Sequence, residues 1–305
     1  PPVACRSSST ARCPRGAIPV RIPGPGPGRG RGTLTTGDDD ASSPRMNFEN
    51  LLVDDADGIR TVTFHRPKAL NALNRATLAE LDAVLEDSAT QEALRCVILT
   101  GAGEKAFVAG ADITEFNALS PAEAAAYSRR GHAVLDRMAA LRVPVIAAVN
   151  GFALGGGLEV ALACDFIWAS DNARLGLVEA NLGIIPGFGG VARLARRVGR
   201  ARAAEYIYTA AQLSAEEALR TGLVNRVVPQ AELLVEVKKL AATIATKGPV
   251  AVGLVKNLLA QGCDADLRTA NALEAQAFGV VFSTADKVEG VAAFLEKRKA
   301  VFPGR

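Results

Sequence analysis

Two glutamates stand in surroundings that glutamates rarely occupy. Glu159 lies in NGFALGGGLEVALACD (150–165) and Glu179 in LGLVEANLGIIPG (175–187), both among apolar or small residues. Such a carboxylate is seldom buried without a partner or a task. Each admits a plain reading as a negative charge favoured near a helix N-terminus. Together, across one helix-strand unit, they also form a candidate general acid/base pair.

Glycine-rich turns surround them. Gly155, Gly156 and Gly157 precede a helix-like run, and a helix start leaves N–H groups unpaired. FVAGADI (107–113) is a second loop of small residues, in which backbone N–H groups can approach a ligand. Two donors from two loops are what an oxyanion hole requires. Taken singly, each is also no more than a tight turn before a helix. GIIPGFGG (183–190) is a third glycine-rich entrance to a helix. No GxxxxGK[ST] is present, so a nucleotide-triphosphate loop is unsupported. ILTGAGEKAF contains a weak GxGxxA match at Gly101–Ala106. It runs on into FVAGADI rather than into an amphipathic helix, and no acidic residue closes a second strand, which argues against a dinucleotide site.

Metal and thiol chemistry find little support. The five cysteines, Cys5, Cys13, Cys96, Cys164 and Cys263, fit no metal or disulfide spacing. Cys96 and Cys164 sit in apolar runs and read as inert core residues in a reducing compartment. His65 and His132 are far apart in sequence and read as structural.

The elements that must position these residues alternate. IRTVTF, RCVILTG, PVIAAVNG and DFIWAS read as strands, the first with period two. TLAELDAVLEDSA places Leu78, Leu81, Val84 and Leu85 on one helical face. PAEAAAYSRRGHAVLDRMAAL reads as a long helix after Ser120, with Pro121 at its first position. The alternation argues an α/β fold with mainly parallel pairing. Beyond about residue 230 the pattern is helical only.

Composition bounds the rest. The chain has 305 residues, 49% hydrophobic and 22% charged, ample for a substantial core. Its formal charge is +3, yet residues 1–45 hold seven arginines, no lysine and three aspartates, leaving about −1 for the remainder. A near-neutral body implies no nucleic-acid surface. No apolar run is long enough for a membrane span. The first 45 residues, with IPGPGPGRGRG, are low-complexity and lack core-forming content. They read as an upstream extension with Met46 as the natural start, as an Arg/Ser-rich organelle transit peptide, or as a basic arm for an acidic partner.

HRPKALNALN, FVAGADI, NGFALGGGLEVALACD, LGLVEANLGIIPGFGG and FLEKRKAVF, in that order, resemble the crotonase (enoyl-CoA hydratase/isomerase) superfamily over roughly residues 47–305. The resemblance implies a crotonase-type ββα spiral core (46–245) and a C-terminal helical trimerisation region (246–305), with trimers that commonly pair into hexamers. It implies Glu159 and Glu179 as catalytic carboxylates and the N–H groups of Ala111 and Gly156 as the oxyanion hole. Gly187 would help hold the attacking water. Lys68, Ala69 and Leu70 would contact coenzyme A, and Lys297 would reach its phosphate from a neighbouring subunit. The implied reaction is reversible syn hydration of a trans-2-enoyl-CoA, short-chain by analogy, with Glu159 serving the water and Glu179 serving C2. It implies an acyl-CoA substrate, no metal or redox cofactor, no nucleic acid or membrane, and a cytoplasmic location, or an organelle matrix if residues 1–45 are a transit peptide. A double-bond isomerase is the alternative within the family; such enzymes typically keep one acid/base carboxylate. An RNA-binding hydratase homologue is a more distant one. Val178 replaces a common Pro before the second glutamate, and Val191-Ala192 replaces a common Thr-Gln; neither change removes a catalytic group.

Overall fold

The computed structural model describes residues 48–117 and 119–305. The extension expected over 1–45, its two cysteines and the start at Met46 lie outside the described residues. Strands β1 (Leu51–Ala56) and β2 (Ile59–Phe64) form an antiparallel hairpin. Its turn residues Asp57 and Gly58 both have positive φ, 54° and 74°, the backbone that an Asp-Gly hairpin turn demands. Helix α1 (Arg75–Thr90) follows, started by Asn74, whose side chain accepts the Thr77 N–H.

A strand-strand-helix unit then recurs. Its first copy is β3 (Cys96–Gly101), β4 (Ala106–Val108) and α2 (Pro121–Ala139). The second is β5 (Val145–Val149), β6 (Phe152–Leu154) and α3 (Gly156–Ala163). The third is β7 (Phe166–Ser170), β8 (Arg174–Gly176) and α4 (Gly190–Val198). Helix α5 (Arg200–Tyr208), β9 (Leu213–Ser214), α6 (Ala215–Arg220) and β10 (Arg226–Val228) complete the sheets. The first strand of each unit joins a sheet of order β1-β2-β3-β5-β7-β10, parallel beyond the hairpin. The second joins a smaller sheet of order β4-β6-β8-β9. Each unit thus climbs one strand position in both sheets, which makes the fold a spiral rather than a plain parallel sheet. The helix read from Pro121 is present, with a capping box in which Ser120 and Glu123 satisfy each other's backbone N–H groups.

Alternate strand residues face two apolar layers. Val97, Leu99, Ala147, Val149 and Ile167 face the main core, which α1 also lines through Leu78, Leu81, Val84 and Leu85. Cys96, Ile98, Ile146, Ala148 and Trp168 face Leu233, Val237 and Ala241 of α7 (Leu233–Ala245). Burial pushes the Cys96 thiol up to about 12 and raises that of Cys164, so both are inert as read. Because both faces are covered, the period-two pattern of IRTVTF misleads: Arg60 and Thr61 are buried as well. Arg60 is tolerated there because its guanidinium meets Asp55 at 2.7 Å and Asp87 at 2.6 Å.

The C-terminal helices are α8 (Pro249–Gly262), α9 (Leu267–Val281) and α10 (Ala285–Leu295). Helix α8 is tied to the body by Lys256, a buried ammonium 2.9 Å from Asp165 and 3.0 Å from the Val143 carbonyl. Helices α9 and α10 leave Phe278 65%, Phe294 83% and Leu295 74% exposed. Among the described residues no helix is long and apolar enough to cross a membrane.

Candidate active site

The three glycines ahead of α3 meet three different demands. Gly155 has φ +50° and ψ −124°, a backbone that L side chains avoid, and a Cβ there would stand 3.0 Å from Glu179 Oε1. Gly157 lets α3 lie directly on β4, since its Cβ would be 1.9 Å from the Val108 carbonyl. Gly156 is different: its Cβ would have ordinary contacts, 3.4 Å from Leu73 Cδ1 and 3.5 Å from the Ala111 nitrogen. What that Cβ would fill is the space between the two backbone segments.

The HRPKALNALN segment shapes the AGAD loop. Leu73 N–H donates to the Gly110 carbonyl at 2.9 Å, and Asp112 N–H donates to the Leu73 carbonyl at 2.7 Å. Arg66 pairs with Asp112 at 3.1 Å. Asn71, buried with φ +60°, donates to the Ala102 and Ala106 carbonyls at 3.0 and 2.8 Å. These bonds leave the Ala111 N–H, like that of Gly156 at the start of α3, without a hydrogen-bond partner among the described residues. Two adjacent free donors from separate loops can hold an oxygen that gains negative charge. Lys68, Ala69 and Leu70 are exposed beside that loop, and the Leu70 carbonyl accepts the Ala109 N–H at 3.1 Å. The weak GxGxxA match serves geometry: a Cβ on Gly101 would stand 2.2 Å from the Ala106 carbonyl where β3 crosses to β4.

Both glutamates are buried, Glu159 at 2% and Glu179 at 9% exposure. Glu159 sits in the first turn of α3, where its Oε1 accepts the N–H groups of Phe188 and Gly190, both at 2.7 Å. Burial raises its pKa while these two bonds, then the charges of His132 and Arg193, pull it back. Glu179 opens a short 3-10 turn, and its Oε2 is buried with no hydrogen-bond partner among the described residues. Burial first, and the charge of Glu159 as well, push its pKa up to about 7. Burial thus raises both carboxyls, but Glu159 alone accepts two backbone N–H groups that favour its carboxylate, while Glu179 is poised to carry a proton near neutrality. Such a pair can accept a proton on one side of a bound group and deliver one on the other.

A profile of the enoyl-CoA hydratase/isomerase family matches residues 54–305. The chain belongs to that family. It is 48% identical over 254 residues to the short-chain-enoyl-CoA hydratase of Clostridium acetobutylicum, covering 83% of this chain and 97% of that one. It is likewise 48% identical to the crotonyl-CoA hydratase of Syntrophomonas wolfei, over 84% of this chain and 99% of that one. The crystal structure of an enoyl-CoA hydratase from Bacillus anthracis superposes with a TM-score of 0.82 at 42% identity, over 84% of this chain and all (100%) of that one.

Within this enoyl-CoA hydratase/isomerase fold, Gly187 lies in the turn that carries the two N–H groups on Glu159, and a Cβ there would meet nothing within 4 Å. Lys297 is not brought to the others within one chain. It is exposed just after α10, its N–H bonds to Phe294, and the neighbouring Arg298 pairs with Glu289 at 2.7 Å. Val191, one of the departures noted above, is 48% exposed, and the hydrogen bonds that this segment makes to Glu159 come from the backbone of Phe188 and Gly190.

Several residues on α2 that sequence reasoning did not single out also act on this turn: Tyr127, Ser128 and Gly131 directly, and Asp136 through Arg193. The one readable signal was Gly131, a glycine in the middle of a helical pattern, which marks a close approach. The Tyr127 hydroxyl is buried without a partner among the described residues, and burial pushes its pKa up to about 12. Tyr127 also lines a cavity of about 200 Å³ together with Arg75 and Leu78 of α1 and Glu123, Ala126 and Arg130 of α2.

Proposed function

We propose that the protein catalyses the reversible syn addition of water to a short-chain trans-2-enoyl-CoA such as crotonyl-CoA. The observation that carries this is the unequal setting of two buried glutamates beside two free N–H groups from separate loops. The thioester oxygen sits between the Ala111 and Gly156 N–H groups, which stabilise the enolate that forms as C3 is attacked. Glu159, ionised, takes a proton from the water as its oxygen bonds to C3. The Gly187 turn helps hold that water. Glu179, protonated, delivers its proton to C2 and becomes the anion. One proton then passes from Glu159 back to Glu179 to reset the pair. The thioester carbonyl is the electron sink, so the reaction as read requires no metal or redox cofactor.

Lys68, Ala69 and Leu70 are read as coenzyme A contacts, supported by their position beside the AGAD loop. Lys297 is read as a phosphate contact given to a neighbouring subunit, since nothing within its own chain links it to the site. The exposed apolar side chains of α9 and α10 support a homotrimer or a pair of trimers. The bacterial origin of the relatives supports a cytoplasmic location. The reading includes neither a membrane nor a nucleic-acid partner.

The deciding experiment offers crotonyl-CoA and a 3-enoyl-CoA isomer to the purified protein, identifies added water by mass, and follows double-bond position by the ultraviolet absorbance of the conjugated 2-enoyl thioester. Water addition to crotonyl-CoA supports the reading. Movement of the double bond in the 3-enoyl substrate with no 3-hydroxyacyl product from crotonyl-CoA overturns it in favour of an isomerase.

A further inference from the structure

The turn that braces Glu159 is itself held by one face of α2. Ser128 Oγ donates to the Gly187 carbonyl at 2.5 Å. About one turn on, Gly131 leaves room for the Phe188 ring: a Cβ there would stand 2.1 Å from Phe188 Cδ1. Further along, Asp136 holds Arg193 at 2.7 Å, and the other guanidinium nitrogen donates to the Phe188 carbonyl at 2.6 Å. The Tyr127 ring rests on Phe188 with centroids 5.2 Å apart.

The Gly187 carbonyl and the Phe188 N–H belong to one planar peptide unit. Its oxygen accepts from Ser128, and its N–H donates to Glu159 Oε1 at 2.7 Å. Hydrogen bonds at the two ends of an amide polarise one another, so the donor that faces Glu159 is strengthened by the hydroxyl behind it. We propose that Ser128 is a positioning residue for the hydration: through the Gly187–Phe188 peptide it orients the Glu159 carboxylate and favours its ionised, proton-accepting form. This rests on the reading of Glu159 as the group that takes the proton from water.

The charged and titratable groups that act on Glu159 come from several elements. His132 from α2 and Arg193 from α4 favour the carboxylate. Glu179 opposes it, and Tyr127 also shares its field. None of these is removed by a change at Ser128, so the relay through the peptide is what such a change isolates. A hydroxyl that merely packed α2 against the turn would alter melting temperature and overall rate but not the ionisation of Glu159.

The test measures kcat and KM for crotonyl-CoA against pH in the parent, Ser128→Ala and Ser128→Thr. In Ser128→Ala the acid limb of kcat should move to higher pH by about half a unit, the share of a charge-assisted bond that a cooperative partner supplies. KM should stay within about twofold of the parent, because no binding contact is lost. Ser128→Thr, which keeps the hydroxyl, should return the limb to its parent position. Should the Ala variant not fold, Ser128→Cys, a weak donor of similar size, should show the same displacement. An acid limb unmoved in Ser128→Ala, or moved equally in Ser128→Thr, overturns the proposal while leaving the hydratase reading intact. A parent that fails to hydrate crotonyl-CoA overturns both.

Discussion

Gly190 and Glu159 are matched at atomic distance. The Gly190 N–H lies 2.7 Å from Glu159 Oε1, and a Cβ on Gly190 would stand 2.8 Å from Glu159 Cγ and 3.0 Å from that oxygen. The residue that braces the carboxylate can do so only without a side chain. Gly190→Ala should therefore displace the carboxylate. Hydration kcat should fall by at least about tenfold, and stability by about 1–3 kcal/mol, the usual penalty of overpacking. Parallel turnover and chemical denaturation would check both.

Glu159→Gln and Glu179→Gln should each lower kcat by about a hundredfold or more, since positioned acid/base groups contribute ~10²–10⁴. Near-parent turnover in either purified, folded variant would remove that carboxyl from the chemistry.

Glu179 also predicts a trade of stability for function. Its pKa is raised from 4.5 to about 7, so between those values the folded protein binds more protons than the unfolded chain. Stability must then fall as pH rises through that window. Glu179→Gln, which is never charged, should melt higher than the parent at pH about 8, by on the order of 2–3 kcal/mol, with the gain fading toward pH about 4.5. The same variant should be the slow one in hydration. Calorimetry at several pH values would show the convergence, and a constant offset would refute it.

Gly156→Ala should fold, because its Cβ meets Leu73 Cδ1 at 3.4 Å, an ordinary contact. That methyl group lies 3.5 Å from the Ala111 nitrogen, in the space where an oxygen would be held. A melting temperature near that of the parent, with a rate loss of ~10²–10³, is expected for a spoiled oxyanion hole. Parent-like turnover would show that the oxygen binds elsewhere.

Phe294 is 83% exposed at the end of α10. If α9 and α10 meet other copies of the chain, Phe294→Asp should bury a charge at the contact and lower the mass found by light scattering. An unchanged mass would move the contact to another face.

Much of this protein was legible in its residues because the signals are local. Pro121 after Ser120 starts a helix in any context, and four apolar side chains at helical spacing give α1 its buried face. The glycine turns and the two glutamates in apolar runs stood out because a charge or an unfilled backbone in such company is unusual. The spiral was legible only through resemblance, since short strands carry no mark of which sheet they will join. Tertiary structure decided the rest. Only contact between covered sheet faces explains why Arg60 is buried, its guanidinium reaching out to Asp55 and Asp87. The difference between Glu159 and Glu179 is likewise invisible along the chain. It depends on N–H groups 29 and 31 residues beyond Glu159, brought to its Oε1 by a turn that α2 holds through Ser128, Gly131 and Asp136. Sequence determines which groups can ionise; distances set by packing determine how readily each of them does.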